Sequence, residues 1–287
     1  MQYHRKWLIL LAVAVSSGIG GWHAYTQSKT FPGTIAFRTV IDGKGVLFIA
    51  FGDARQLHQI TAFPSWGFFP MLSPDGSTIA YISDPPSTQR QICVMPRDGG
   101  QPTMLGAATE GADSLSWSPD GTSLVFSSGQ TGTSELYRIR SDGTMPQQLT
   151  FNSQGSFEPA WSPDGRYIIF SDRGVLYRID ADGSNRRQLS GYDKTSGAST
   201  WRPDSQRFAY SADNDIYTRD MNGNQITPLV VTSTDERHPV WSPDGQYIAF
   251  VRSFDDESRL WIMRADGTEQ RELLIMENDI TSLSWVP

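Results

Sequence analysis

A chain of 287 residues with 38% apolar and 11% aromatic side chains can bury a substantial core, which excludes an intrinsically disordered protein. The net charge of −7 conceals an asymmetry: residues 1–28 carry Arg5 and Lys6 and no acid, leaving 31 acidic against 22 basic residues, or −9, for the rest. That balance argues against nucleic acid or anionic lipid as the main partner of the folded part.

The chain opens on a basic head, MQYHRK, and then runs from Trp7 to Tyr25 without a charged residue. As a helix this stretch would span about 28 Å, close to the thickness of a bilayer core. Trp7, Trp22 and Tyr25 sit where interfacial aromatics would lie. Two readings stay open: a retained anchor, or a secretory signal cleaved after Ser16 or nearby with WLILLAVAV as its apolar stretch. In both, Arg5 and Lys6 hold the head in the cytoplasm and the residues after about 28 are exported. The chain therefore divides into a targeting segment with a short linker, 1–28, and a second region, 29–287.

That second region is one unit repeated. WSPDG or a near match occurs at Trp117, Trp161 and Trp241, with WRPDS at Trp201, LSPDG at Leu72 and a terminal WVP at Trp285. The prolines 74, 119, 163, 203, 243 and 287 are 45, 44, 40, 40 and 44 residues apart. Each unit reads as four short strands: A ends in the Trp, B is an apolar run such as IAF, C is an LYRI-type alternation, and D is a QLT-type segment. The turns have chemical reasons. In SPDG, proline fixes φ, Asp binds nearby backbone and Gly takes positive φ; DG or NG between C and D is a hairpin signal. The A-to-B, C-to-turn and D-to-A distances are constant, so the variation falls in the B–C link, on one face.

A period near 40–45 with four strands predicts an all-β protein, a six-bladed β-propeller of four-stranded blades. The first unit has B, C and D at Thr34–Thr61 but no Trp-bearing strand before them. The final SLSW is predicted to supply it, so that Asp279–Pro287 crosses the ring and closes the first blade. The W-S-P-D-G, I-A-F, L-Y-x-x-x-x-D-G and Q-L-T series resembles the repeat of TolB-like propellers across residues 31–287. Such repeats occur in the periplasmic Tol–Pal component, beside prolyl-oligopeptidase-type domains and in membrane-anchored bacterial regulators. The chain departs from all three: no α/β domain, hydrolase domain or DNA-binding winged helix accompanies the repeats. The resemblance implies a protein-interaction scaffold or sensor in the periplasm. The alternatives are the sensory part of a regulator whose DNA-binding part is separate, and a lyase or hydrolase working at the propeller mouth.

The residues offer little to catalysis. Cys93 is the sole cysteine, so no intrachain disulfide or thiolate metal cluster forms, and it reads as a small buried strand residue. His58 and His238 are the only imidazoles beyond the targeting segment, and no hydrolase, zinc or phosphate-loop motif is present. No cofactor or metal is expected. The repeated SPDG aspartates, and DADGSN at Asp180–Asn185, read as turn residues rather than carboxylate or calcium sites. The candidate partner-binding residues are Trp66, Phe68 and Phe69 in FPSWGFFP, whose competing reading is packing across the inner mouth, and Asp113, Glu158, Arg237 and His238, just before strand A. The last four are expected around the central opening.

Overall fold

The computed structural model describes residues 12–13, 24–26, 31–41, 44–52, 57–60, 67–84, 89–151, 155–192, 199–254 and 257–287. Six antiparallel sheets follow one another as blades. Blade 1 runs outward from the axis as Ile280–Val286, Thr34–Ile41, Lys44–Phe51 and Leu57–Gln59. Blade 2 is Gly67–Leu72, Thr78–Ser83, Gln91–Pro96 and Thr103–Met104; blade 3 is Ala112–Trp117, Ser123–Ser128, Glu135–Arg140 and Gln147–Gln148. Blade 4 is Ser156–Trp161, Tyr167–Asp172, Val175–Asp180 and Arg187–Tyr192; blade 5 is Thr200–Trp201, Arg207–Ala212, Asp215–Asp220 and Ile226–Val230. Blade 6 is Asp235–Trp241, Tyr247–Ser253, Ser258–Arg264 and Arg271–Met276.

Of the segment expected to be an anchor, the structure describes only residues 12–13 and 24–25. They lie in two short strands, Ala12–Val13 and Ala24–Thr26, the second paired along Arg271–Met276. The rest of that expectation lies outside the described residues. Among the described residues no helix is long and apolar enough to cross a membrane.

The SPDG turn works as its composition dictates. The Ser73 hydroxyl donates to Asp75 at 2.5 Å, Asp75 accepts the Ser77 amide, and the Thr78 amide returns to Ser73. The same closed set recurs at Ser118–Asp120, Ser162–Asp164 and Ser242–Asp244. These bonds, that from the Ser73 hydroxyl first, hold the Asp75 carboxyl down at about 2. WRPDS is a variation with a purpose. Ser205 takes the glycine position at φ 58 and its hydroxyl accepts the Asp164 amide of the preceding blade at 3.0 Å.

Between the second and third strands of every blade an aromatic of the second strand faces one position of the third. Phe37 faces Phe48, Phe126 faces Tyr137, Phe170 faces Tyr177, Tyr210 faces Tyr217, and Phe250 faces Trp261. Four of these pairs are stacked with centroids 5.6–5.8 Å apart. Cys93 fills this position opposite Tyr81 in blade 2, which places it in the core as a small apolar residue.

The expected loop variation is partly strand. In blade 1 the long link between the second and third strands is taken up by two eight-residue strands that pair as far as Ile41 and Lys44. Blades 4 and 5 turn in two residues, Arg173–Gly174 and Asp213–Asn214, all at positive φ, which suits strand twist. Blade 3 keeps a genuine loop between Ser128 and Glu135.

The closing strand is present. Ile280–Val286 pairs with Thr34–Ile41, from Ile280 opposite Thr39 to Val286 opposite Thr34. Trp285, only 7% exposed, donates its indole N–H to the Pro32 carbonyl at 2.6 Å and meets Phe31 edge-on at 5.8 Å. Neighbouring blades are also fitted backbone to backbone. A Cβ on Gly223, at φ +80, would lie 2.4 Å from the Leu189 carbonyl oxygen of the preceding blade.

Trp285→Ala is expected to destabilise the protein by about 3–5 kcal/mol in urea unfolding, and deletion of residues 282–287 by more; an unchanged midpoint for the deletion would refute closure. Gly223→Ala should cost about 2–4 kcal/mol, from collision added to φ strain. Gly99→Ala, in the same turn class at φ +93 but with no atom within 4 Å of its Cβ, should cost only about 1 kcal/mol.

Candidate functional site

The six innermost strands enclose an axial channel of about 420 Å³. Tryptophans 117, 161, 201, 241 and 285 contribute to its walls with Met71, Leu115, Val240 and Leu283, and among the described residues no Lys or Arg lines it. An innermost strand has only one strand neighbour, so its other edge must find partners elsewhere.

Serine hydroxyls supply them. Ser116 of blade 3 accepts the Trp161 amide of blade 4 at 3.2 Å, and Ser284 of blade 1 accepts the Leu72 amide of blade 2 at 3.1 Å. Ser114 accepts the Glu158 amide at 2.9 Å while bonding Ser127. Tryptophan indoles run the other way. Trp117 donates to the Met71 carbonyl and Trp201 to the Ala160 carbonyl, each at 3.0 Å.

The ring alternates. Blades 1 and 3 end their innermost strands in SLSW, and blade 5 in ASTW; blades 2, 4 and 6 carry FFPML, FEPAW and RHPVW. At the position three before the terminal Trp or Leu, Phe69, Glu158 and His238 are left-handed, with φ 48, 55 and 53. Each precedes a proline, sits in a β-bulge and lines the channel. Blades 1 and 3 place Ser282 and Ser114 there. A side-chain-bearing residue held at positive φ is strained by about 1–3 kcal/mol, and such residues gather at functional sites.

Glu158 and His238 face the channel without a side-chain hydrogen-bond partner among the described residues. Burial alone pushes the Glu158 carboxyl up to about 7. Burial, helped by Arg237 and opposed by Asp279, pulls His238 down to about 4. Near neutrality the channel thus holds a carboxyl poised at its titration point and a neutral imidazole.

The other expected residues are distributed around this pair. Phe69 lines the channel, whereas Phe68 is half-buried with the Arg38 and Arg90 guanidiniums 4.6 and 5.8 Å from its centroid. Both pack against the core shared by blades 2 and 3. Trp66 lies outside the described residues. Asp113 and Arg237 are absent from the channel wall and bridge blades instead, Asp113 to Arg90 at 2.6 Å and Arg237 to Asp279 at 2.5 Å. Among the described residues no group of three His, Cys, Asp or Glu side chains could hold a metal ion. Sequence reasoning passed over the serines that fasten the ring. Aligning the six strand ends shows the signal, S-x-S-W in blades 1 and 3 and A-S-T-W in blade 5, alternating with x-P-x-W or x-P-x-L.

The TolB beta propeller domain, PD40, matches residues 109–287. The chain belongs to this family. The fold of TolB from Acinetobacter baumannii superposes with a TM-score of 0.76 at 24% identity, over 90% of this chain and 68% of that one. Putative TolB from Agrobacterium tumefaciens follows at 0.70 and 18%, over 90% and 100%. The structure of a nidogen/laminin complex gives 0.70 at 12%, over 88% and 98%. A protein of Bacillus subtilis (strain 168) named an uncharacterized peptidase, YuxL, is 39% identical over 56 residues, 20% of this chain. The match spans only 8% of that relative's length, too little to carry its activity across.

Within this TolB-type propeller the two channel groups oppose each other in stability. Glu158, raised from 4.5 to about 7, stabilises the fold below pH 4.5 and loses that contribution as pH rises to 7. His238, lowered from 6.5 to about 4, stabilises above pH 6.5 and loses its contribution as pH falls to 4. Between pH 4.5 and 6.5 the slopes cancel. Glu158→Gln should expose a melting temperature that rises with pH across that window, and His238→Gln one that falls, each by roughly 1–3 kcal/mol. Parallel melting curves for both variants would contradict this assignment.

Proposed function

We propose that this TolB-type propeller is a non-enzymatic protein-docking module, exported and held at the periplasmic face of a bacterial inner membrane. A protein partner would meet the face built from the links between second and third strands and the connections between blades. The observation that carries this reading is where the exposed aromatics lie. Among the described residues the large exposed ones are Phe151, Phe157 and Phe254, at 65%, 42% and 39%, and all belong to this face. The opposite face is made of tight SPDG and DG turns whose Ser, Thr and Asp side chains are occupied in their own hydrogen bonds, and the exposed apolar side chain beside them at Met145 is aliphatic, not aromatic. Exposed aromatics beside fixed polar groups such as Arg90–Asp113 and Arg237–Asp279 make a surface suited to a protein partner. Family membership supports the interaction role, and the uncharged stretch from Trp7 to Tyr25 behind a basic head supports export and tethering.

Photo-crosslinking residues placed singly at Phe157 and Phe254 in the full chain, expressed in cells, should each yield an adduct of one discrete mass. The same residues at Thr144 and Gln225, on the turn face, should yield none. Adducts from both faces alike, or from neither, would overturn the docking reading. Protease added to spheroplasts should degrade the propeller without lysis; protection until lysis would overturn export.

A further inference from the structure

The channel and the docking face are separable, and the channel has chemistry of its own. Its repeat provides an internal control. Ser114 and Ser282 occupy, in blades 1 and 3, the position that Glu158 holds in blade 4, so closing the ring does not require a carboxyl there. Yet blade 4 keeps an acid in a left-handed conformation before Pro159, its amide tied to Ser114 and its side chain facing the lumen without a side-chain partner among the described residues. A half-buried carboxylate in an apolar channel, with no cation beside it among the described residues, is costly, which is the state a cationic ligand would relieve.

We propose that the channel is a binding site for a small primary ammonium with an apolar body, the ammonium pairing with Glu158. The lining fits that chemistry throughout. It offers acceptors in the Glu158 carboxylate and the neutral His238 imidazole, groups that can take the N–H donors of an ammonium. Among the described residues it presents no Lys or Arg that would repel a cation, and Phe69 and the tryptophan walls suit both an alkyl body and a nearby positive charge. About 420 Å³ falls in the ordinary range for small-molecule sites.

No neighbouring charge moves the Glu158 carboxyl. The adjoining innermost strands present Ser114, Ser116 and Thr200, and His238 is the other titratable group in the lumen. Ionised Glu158 is the binding form, so affinity for an ammonium should climb as pH rises through about 7 and level off above it. Below that point the loss approaches tenfold per pH unit.

Calorimetric titration of the full chain with n-hexylammonium, 1-hexanol, glucosamine, and tetra-alanine with a free or acetylated N-terminus tests the idea and separates its sources. Hexylammonium should bind at least tenfold more tightly than hexanol. Glucosamine binding would point to amino sugars, and a free but not acetylated peptide to chain termini. Glu158→Gln should abolish the preference for hexylammonium over hexanol and flatten its pH profile. Glu158→Ser, which copies blades 1 and 3, should do the same with an intact melting transition. Equal binding of hexanol and hexylammonium, retained preference in either variant, or no binding of any amine at millimolar concentration would overturn the proposal.

Discussion

The inner edge of each blade is the constraint from which the rest of the molecule follows. A four-stranded sheet standing on the axis leaves the axis-facing groups of its first strand without a strand partner, and six such edges meet in a narrow space. Water cannot serve all of them in a wall made largely of tryptophan and aliphatic side chains. Hydroxyls from the neighbouring blade do so: Ser116 to Trp161, Ser284 to Leu72 and Ser114 to Glu158. Indole N–H groups answer in the reverse direction at Met71 and Ala160.

Because a serine-bearing strand serves the strand beside it, the ring is organised in pairs. Blades 1, 3 and 5 have small hydroxylated strand ends; blades 2, 4 and 6 have ends with a proline and a large left-handed residue, and the innermost strands of blades 1 and 3 are bulged as well. Sixfold architecture thus carries a near threefold channel, in which Phe69, Glu158 and His238 occupy equivalent places with unlike chemistry. The bulge turns each of these residues out of the sheet alternation and toward the lumen, as bulges near functional sites commonly do.

Much of this was legible in the residues. Constant spacing fixed four strands per unit, the SPDG and DG turns announced their own hydrogen bonds, and the terminal SLSW stood out as the strand missing from blade 1. The aromatic rungs and the place of Cys93 follow from the same alignment. Less legible were contacts between positions a full repeat apart, such as Ser114 with Glu158, where neither residue's local propensity requires the other. Blade 1 also showed that a longer link can become longer strands: TIAFRTVI and KGVLFIAF alternate well enough to keep pairing, whereas the link of blade 3, SGQTGT, cannot. Asp113 and Arg237 were expected near the opening, and each spans a blade boundary, since an ion pair with the next blade is available one residue before the wall begins.

The pairing of Ile280–Val286 with Thr34–Ile41 also has a consequence in time. Strands made in chain order would complete blades 2 through 6 from local contacts, each within some forty residues. Blade 1 would wait, its Thr34–Ile41 strand exposing an unpaired edge until the innermost strand, Ile280–Val286, arrives. Contacts of such separation slow folding and leave sticky intermediates. The most deeply fastened blade of the finished ring is therefore the most vulnerable one while the ring is being assembled.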